Sequence, residues 1–247
     1  MNVSGRIIFI TNWIKNYANT NSKTNYELVI GVSGGIDSAV TSTLCALTKI
    51  KTHAVSMPIK QNNEQHSLSI SHINWLKNKY SNVCSYEIEL DDIFNLFKKT
   101  MNNFDSDLAF ANSRSRLRMI TLYQIAQYNN GLVVGTGNKV EDFGIGFYTK
   151  YGDGGVDISP IADCTKSQVW EMGRALGINN KIISAKPTDG LWDDFRNDED
   201  QIGLNYEQIE EAMENKNSPY HEKYNSIRNP NLHKMKPIPV CIFPKKL

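Results

Sequence analysis

Gly31-Val32-Ser33-Gly34-Gly35-Ile36-Asp37-Ser38 decides how this chain folds. Before it runs Tyr26-Glu27-Leu28-Val29-Ile30, apolar and β-branched enough to read as a buried strand. After it, residues 39–47 read as a helix. A glycine turn that carries a strand directly into a helix lets backbone approach a ligand closely. It also aims the unpaired N–H groups of the first helical turn at that ligand. Such a turn is an anion site suited to phosphate, and the Ser33 and Ser38 hydroxyls are further donors. Asp37 is out of place beside phosphate unless it holds a Mg²⁺ ion that the phosphates share. The loop lacks the Gly-Lys-Ser/Thr ending of a Walker loop and the G-x-G-x-x-G spacing of a dinucleotide turn. A serine-capped tight turn would explain a residue or two of it, not the whole run with its carboxylate.

Outward from this loop the strand–helix alternation continues. Val3, Ile7, Ile10, Ile14 and Tyr17 mark one apolar face of an N-terminal helix, and residues 19–24 form a polar connector. Residues 52–57 predict a second strand stopped by Pro58, with His53 a strand residue rather than a ligand. A helix over 65–80 carries Leu68, His72, Trp75, Leu76 and Lys79 along one side, and a third strand follows over 83–88. Asp91 and Asp92 open a helix bearing Ile93, Phe94, Phe97 and Met101; a long helix covers 108–128 and a fourth strand 131–136. This order predicts an α/β fold, a doubly wound parallel sheet with helices on both faces, whose ligands bind at the carboxyl ends of the strands. Both the 31–38 loop and the loop at Thr136 leave strands at that edge. Residues 137–157 form a long, charged, glycine-rich loop. A helix over 166–176 is ended by Gly177, and 193–200 is acidic and exposed. Helices follow over 206–215 and 219–227, then an irregular tail with Pro230, Pro237, Pro239 and Pro244.

The 247 residues carry a formal net charge of +1 without a long basic block, which argues against a general nucleic-acid surface. Ile7-Ile8-Phe9-Ile10 is too short to span a bilayer, and the N-terminus lacks the pattern of a secretory signal. A soluble cytoplasmic protein without membrane contact is the expectation, with residues 1–247 as a single domain. Cys45, Cys84, Cys164 and Cys241 are scattered, with no C-x-x-C to suggest zinc or a disulfide framework. The five histidines are dispersed, and neither H-E-x-x-H nor G-x-S-x-G occurs.

Other stretches carry charge where a phosphate ligand needs it. In Asn112-Ser113-Arg114-Ser115-Arg116-Leu117-Arg118-Met119, Arg114 and Arg118 share a helix face and Arg116 points roughly opposite. Each is either part of a solvated basic face or a bidentate phosphate grip. In Gly135-Thr136-Gly137-Asn138-Lys139-Val140-Glu141-Asp142, Glu141 is a candidate second Mg²⁺ ligand beside Asp37. Thr149-Lys150-Tyr151-Gly152-Asp153-Gly154-Gly155-Val156-Asp157 suggests a loop closing over a charged ligand, although composition does not exclude a plain surface loop.

The 31–38 loop resembles the pyrophosphatase loop of the N-type ATP pyrophosphatases, which split ATP between its α- and β-phosphates to form an adenylate. The arginine run, the G-T-x-N-x-x-E stretch, the T-K-Y-G-D-G-G-x-D stretch, Thr165-Lys166, Lys186-Pro187-Thr188 and His233-Lys234 follow it in the order found in NAD synthetases. The length is similar to that of the ammonia-dependent form, which lacks a glutaminase domain. The resemblance implies an adenine nucleotide alpha hydrolase-like, Rossmann-like fold. It also implies the reaction ATP + deamido-NAD + NH₃ → NAD + AMP + pyrophosphate. On the same ground, residues 31–38 (Gly31, Val32, Ser33, Gly34, Gly35, Ile36, Asp37 and Ser38), Thr136, Lys166 and Thr188 match ATP-binding positions, and Asp37 and Glu141 match magnesium ligands. Arg116, Lys150, Asp157, His233 and Lys234 match positions that hold deamido-NAD, and Asp153 matches an acid that places or deprotonates ammonia. The resemblance further implies a homodimer.

The chain departs from the pattern around Thr188, where relatives more often carry the lysine one or two positions earlier, so Lys186 and Lys181 are both candidates for covering the phosphates. Gly137-Asn138-Lys139 stands where a D-H-A-type run is commoner. The competing readings are another adenylating synthetase of the superfamily, GMP-synthetase-like or tRNA-modifying, and a non-catalytic adenine-nucleotide sensor. Charge and the lack of cysteine pairs weigh against tRNA thiolation, and the carboxylates weigh against sensing. Cys45 and Cys84 fall in a helix and a strand of the nucleotide-binding half, Cys241 lies in the tail, and Cys164, near the proposed crevice, has no local histidine, so ammonia and not glutamine is the expected nitrogen donor.

Overall fold

Alternation along one strand sets the layers of the molecule. Leu28 and Ile30 turn to one face and Val29 to the other, and all three are fully buried. In the computed structural model, residues 1–20, 25–188, 190–192 and 197–243 are described. The first half runs α1 (Val3–Thr20), β1 (Glu27–Gly31), α2 (Ile36–Leu47), β2 (Thr52–Ser56), α3 (Asn63–Lys79), β3 (Val83–Glu87), α4 (Asp91–Thr100), α5 (Asp107–Tyr128) and β4 (Gly131–Val133). The second half holds a π-helical turn (Lys139–Ile145), then α6 (Lys166–Leu176), α7 (Asn180–Ile183), α8 (Asp198–Ile202), α9 (Tyr206–Glu214) and α10 (His221–Met235).

The four strands pair in parallel in the order β3-β2-β1-β4. Leu28 and Ile30 pack against Ile10 and Ile14 of α1, Val40 and Leu44 of α2, and Val169 and Met172 of α6. Ala54, in register with Ile30, meets Ile73 and Leu76 of α3 on the same face. On the opposite face Val29, Val55 and Val133 meet Phe94 of α4 and Phe110 and Ala126 of α5. The sheet is therefore doubly wound with helices on both faces, as expected. Because β1 and β4 are neighbours, with the 31–38 loop turning into α2 after one and the chain running into the π-helical turn after the other, a crevice opens between the two loops at the carboxyl edge. A further apolar cluster joins Val140 and Ile145 of the π-helical turn to Ile202, Tyr206, Ile209 and Tyr224, seating α8, α9 and α10 beside the sheet. Among the described residues no helix is long and apolar enough to cross a membrane.

Several boundaries differ from the sequence reading, each for a physical reason. Tyr17 is 39% exposed, and Ala18 takes its place in the core, since a turn of 3.6 residues puts Ala18 under Ile14. Strand β4 ends at Val133 because the chain then pairs across Val134 with Ile158. The 137–157 loop contains the π-helical turn, started by Asn138, whose side chain accepts from the N–H groups of Val140 and Glu141. Asp198, expected to be exposed, is buried beneath the Tyr206 hydroxyl. Pro230 lies inside α10, which runs on to Met235, rather than in an irregular tail. The connector at 21–24, Asp189, residues 193–196 and Pro244 fall outside the described residues.

His72 of α3 is buried against α2, its Nε2 3.1 Å from Ser42 Oγ. Burial pushes its pKa down from 6.5 to about 4. The unfolded chain takes up this proton near pH 6.5 and the folded chain only near pH 4, so the fold has its full stability above 6.5 and loses it as the pH falls toward 4. The loss attributable to His72 is roughly 3 kcal/mol at most. Urea denaturation of wild type and His72→Gln between these pH values should show a shallower slope in the variant; equal slopes would remove His72 as the cause.

Candidate active site

The loop after β1 takes a shape that its glycines require. Gly34 has φ +93°, and a Cβ there would stand 2.4 Å from the Gln65 carbonyl oxygen, so the loop can lie flat against α3. Ser69 Oγ donates to the Val32 carbonyl at 2.6 Å and Gln61 Nε2 to that of Ser33 at 3.2 Å, fixing the loop from outside. Ser38 Oγ accepts from Ser33 N–H at 3.1 Å, donates to the Gly35 carbonyl at 3.0 Å and lies 3.1 Å from Ser33 Oγ. These hydroxyls thus hold the loop's curvature as well as facing the crevice. At its start α2 has no side-chain cap, which leaves the positive end of its dipole open to a ligand.

Asp37, in the first turn of α2, meets Glu141, in the π-helical turn beyond β4, across one ammonium group. Lys166 Nζ lies 2.6 Å from Asp37 Oδ2 and 2.8 Å from Glu141 Oε1. Asn138 Nδ2 donates to Asp37 Oδ1 at 3.1 Å and to Glu141 Oε2 at 2.8 Å. The Tyr206 hydroxyl lies 2.5 Å from Glu141 Oε1 and 3.2 Å from Asp198 Oδ2. Only 2% of the Lys166 side chain is exposed. Burial pulls its pKa downward, but the charges of Asp37 and Glu141 outweigh that pull and hold it above the ordinary lysine value. The Tyr206 hydroxyl is held protonated by burial and by the same carboxylates. Asp37 and Glu141 already share one cation, and a pair of hard carboxylates suits Mg²⁺ when phosphates and water complete its shell. Among the described residues no group of three His, Cys, Asp or Glu side chains is placed to hold a metal by itself.

Asp37, Glu141, Lys166 and Asp198 line a cavity of about 690 Å³ that also takes in the 31–38 loop, Thr136, Thr188 and Asp153. Lys181 and Lys186 both reach its wall, so the structure leaves the two candidates level. On the far wall Asp153 Oδ1 accepts from Ser115 Oγ at 2.7 Å and from Thr149 N–H at 2.9 Å, while Asp153 N–H donates to Ser115 Oγ at 2.8 Å. Gly152 makes this approach possible, since a Cβ there would stand 2.3 Å from Ser115 Oγ. Asp142 lines the same wall, and burial, then the nearby Asp153 carboxylate, push it well above the ordinary carboxylate range.

Arg116, Lys150, His233, Lys234 and Asp157 lie outside that cavity wall. Arg116 and Lys150 are joined through the Lys150 carbonyl at 3.4 Å, and Lys150 Nζ reaches the His233 carbonyl at 3.4 Å. Lys234 donates to the Tyr148 carbonyl at 2.8 Å, and burial lowers its pKa. Asp157 braces the base of the loop, its oxygens accepting from Val133 N–H at 2.7 Å and Tyr123 OH at 3.1 Å. Arg114 and Arg118 hold the carbonyls of Leu191 and Met57, at 3.0 and 3.1 Å, from the helix face opposite Arg116. Sequence reasoning passed over Asn138, Ser115 and Tyr206. Asn138 carries a local sign, as a cap three residues before Glu141; Tyr206 carries none, since its partner is 65 residues away.

Comparison with known proteins agrees with this geometry. Residues 7–238 match the family described as NAD synthase. The NH(3)-dependent NAD(+) synthetase of Mesoplasma florum is 40% identical over 74% of this chain and 74% of its own. That of Alkaliphilus metalliredigens is 35% identical over 90% of this chain and 91% of its own. Among solved structures, the NMN synthetase of Francisella tularensis superposes with a TM-score of 0.89 at 31% identity, over 98% of this chain and 100% of that one. With a glycine loop, an acid pair and the Asp153 loop gathered around one cavity, and with matches over nearly its whole length, the chain belongs to the NAD synthase family.

Proposed function

We propose that this protein amidates deamido-NAD with ammonia at the expense of ATP, giving NAD, AMP and pyrophosphate, the last step of NAD formation. One observation carries the reading: an uncapped helix start and a pair of carboxylates sharing one cation open into the same cavity. A carboxylate resists attack by ammonia because oxide is a poor leaving group. Transfer of AMP to it supplies a good one. The 31–38 loop, Thr136, Lys166 and Thr188 receive ATP, and Lys186 or Lys181 covers its phosphates. Asp37 and Glu141 hold Mg²⁺, which when bound offsets the charge of two polyanions brought together. Little is left for a protein nucleophile, and the buried Cys164 thiol, pushed up by its burial, does not offer one.

Asp153 receives the incoming ammonium and takes its proton, held for this by Ser115 and Thr149. Arg116, Lys150, His233, Lys234 and Asp157 hold the deamido-NAD, at a boundary completed by a second copy in a homodimer. Residues 1–247 act as one synthetase domain in the cytoplasm, with no nucleic-acid or membrane partner. A second reading has the Francisella tularensis likeness behind it: the acceptor is then nicotinic acid mononucleotide, and the same chemistry yields NMN.

Purified protein given ATP, Mg²⁺ and ammonium chloride, with either deamido-NAD or nicotinic acid mononucleotide, distinguishes them. NAD with equimolar AMP, formed at a higher kcat/KM than NMN, is expected; a tenfold preference for the mononucleotide would establish the second reading. Glutamine freed of ammonia should give no amide. In Ser115→Ala, Asp153 loses its side-chain anchor. We expect kcat to fall about 10- to 100-fold with KM for ATP little changed. Steady-state kinetics with a melting curve check this, and wild-type turnover would show that Thr149 alone places the acid.

A further inference from the structure

The acid pair is fully occupied by the chain itself. Lys166 Nζ takes Asp37 Oδ2 and Glu141 Oε1, at 2.6 and 2.8 Å. Asn138 Nδ2 takes Asp37 Oδ1 and Glu141 Oε2, at 3.1 and 2.8 Å. Tyr206 OH adds a second contact to Glu141 Oε1 at 2.5 Å. No oxygen of either carboxylate is left without a donor. We propose that Lys166 is the resident counter-cation of this pair and bars free Mg²⁺ from it, so that the metal enters only together with the ATP phosphates, which accept the displaced ammonium. This rests on the reading of Asp37 and Glu141 as magnesium ligands.

Three features support the exchange. First, the ammonium has nowhere to go alone. It is buried, 4.8 Å above the Tyr206 ring, and a dication at the carboxylates would leave it unpaired beside a like charge. Magnesium also gives up its own water reluctantly, so free metal has little to offset that loss. Second, the phosphate loop and Lys166 line one cavity, so a triphosphate on the loop brings acceptor oxygens to the lysine. The ammonium then trades carboxylate for phosphate and stays paired throughout. Third, the motion is confined to a side chain. Lys166 is the first residue of α6, enclosed by the Thr165–Gln168 capping box that fixes the helix start. Asn138 is fixed likewise, because its Oδ1 accepts from Val140 and Glu141 N–H at 2.9 and 3.0 Å while its Nδ2 spans the two acids. The carboxylates thus keep their spacing as the cation between them changes.

The test titrates the intact protein with Mn²⁺ by calorimetry and by the electron-spin-resonance signal of free Mn²⁺, with and without α,β-methylene-ATP. Wild type without nucleotide should take up no Mn²⁺ below millimolar concentration. Lys166→Met without nucleotide should bind one Mn²⁺ per chain at least tenfold more tightly than wild type. Wild type with the analogue should give a protein-bound Mn²⁺ signal that Asp37→Asn removes. If wild type without nucleotide binds one Mn²⁺ as tightly as Lys166→Met, and Asp37→Asn abolishes it, the pair is a metal site but Lys166 does not guard it, and the proposal is overturned. If the nucleotide-bound Mn²⁺ signal survives Asp37→Asn, the metal reading itself falls. Circular dichroism checks that Lys166→Met folds; should it not, Lys166→Gln replaces it. The wild-type titration decides alone in any case, since tight Mn²⁺ binding without nucleotide that Asp37→Asn removes overturns the proposal.

Discussion

One buried ammonium organises the working end of this protein. Lys166 comes from α6, Asp37 from the start of α2, Glu141 and Asn138 from the turn beyond β4, and Tyr206 from α9. The chain brings these segments together from positions as far apart as 37 and 206, and the ion pair is their shared contact. Burying three charges is a poor way to gain stability, because well-packed apolar side chains of similar volume hold a core at least as well. Carboxylates kept close, dry and oriented are useful for what they will hold. Asn138 and Tyr206 serve the same end, because each satisfies carboxylate oxygens that would otherwise lose their solvation without return.

The sheet explains why the groups meet there. Parallel strands deliver their loops to one edge, and the 3-2-1-4 order makes β1 and β4 neighbours whose following segments part. The glycine loop occupies one lip of the crevice and the π-helical turn the other. A π-turn lets Asn138 cap the turn and also face Asp37 across the gap. The apolar cluster of α8, α9 and α10 then holds this turn from behind. Fold and chemistry are coupled at this point: the residues that pack the turn also place Glu141.

What could be read in the sequence follows how local its cause is. The strand, loop and helix from 26 to 47 declare themselves because period-two burial, a glycine turn and a helical run are short-range patterns. The helix at 166–176 was legible to the residue, since the Thr165 cap and the Gly177 stop are written at its ends. Tyr17 was misplaced by a single position, as the edge of a helical stripe is where periodicity discriminates least. Asp198 reads as a surface acid because nothing near it in sequence shows the tyrosine that covers it. In the candidate site, motif order points to the loop, Asp37, Glu141 and Lys166, which the structure brings to one cavity. It does not point to Tyr206 and Ser115, because each matters through a partner brought near only by folding. The arginines divide in the same way: Arg114 and Arg118 are committed to backbone carbonyls, a fate that composition does not reveal.

The two ends of the site obey different rules of ionic strength. The Lys166 cluster is largely withdrawn from solvent, with 2% of the Lys166, 17% of the Asp37 and 14% of the Glu141 side chain exposed, so salt screens it far less than a surface pair. Arg116 and His233, by contrast, stand exposed at the outer lip, where the field of a charge fades within about 8 Å at physiological salt. Salt in the surroundings therefore loosens the grip at the rim while leaving the floor of the cavity untouched. Under the proposed function, a cell that concentrates potassium would tune how readily the dinucleotide is caught without altering what happens once its carboxylate lies beside the phosphates.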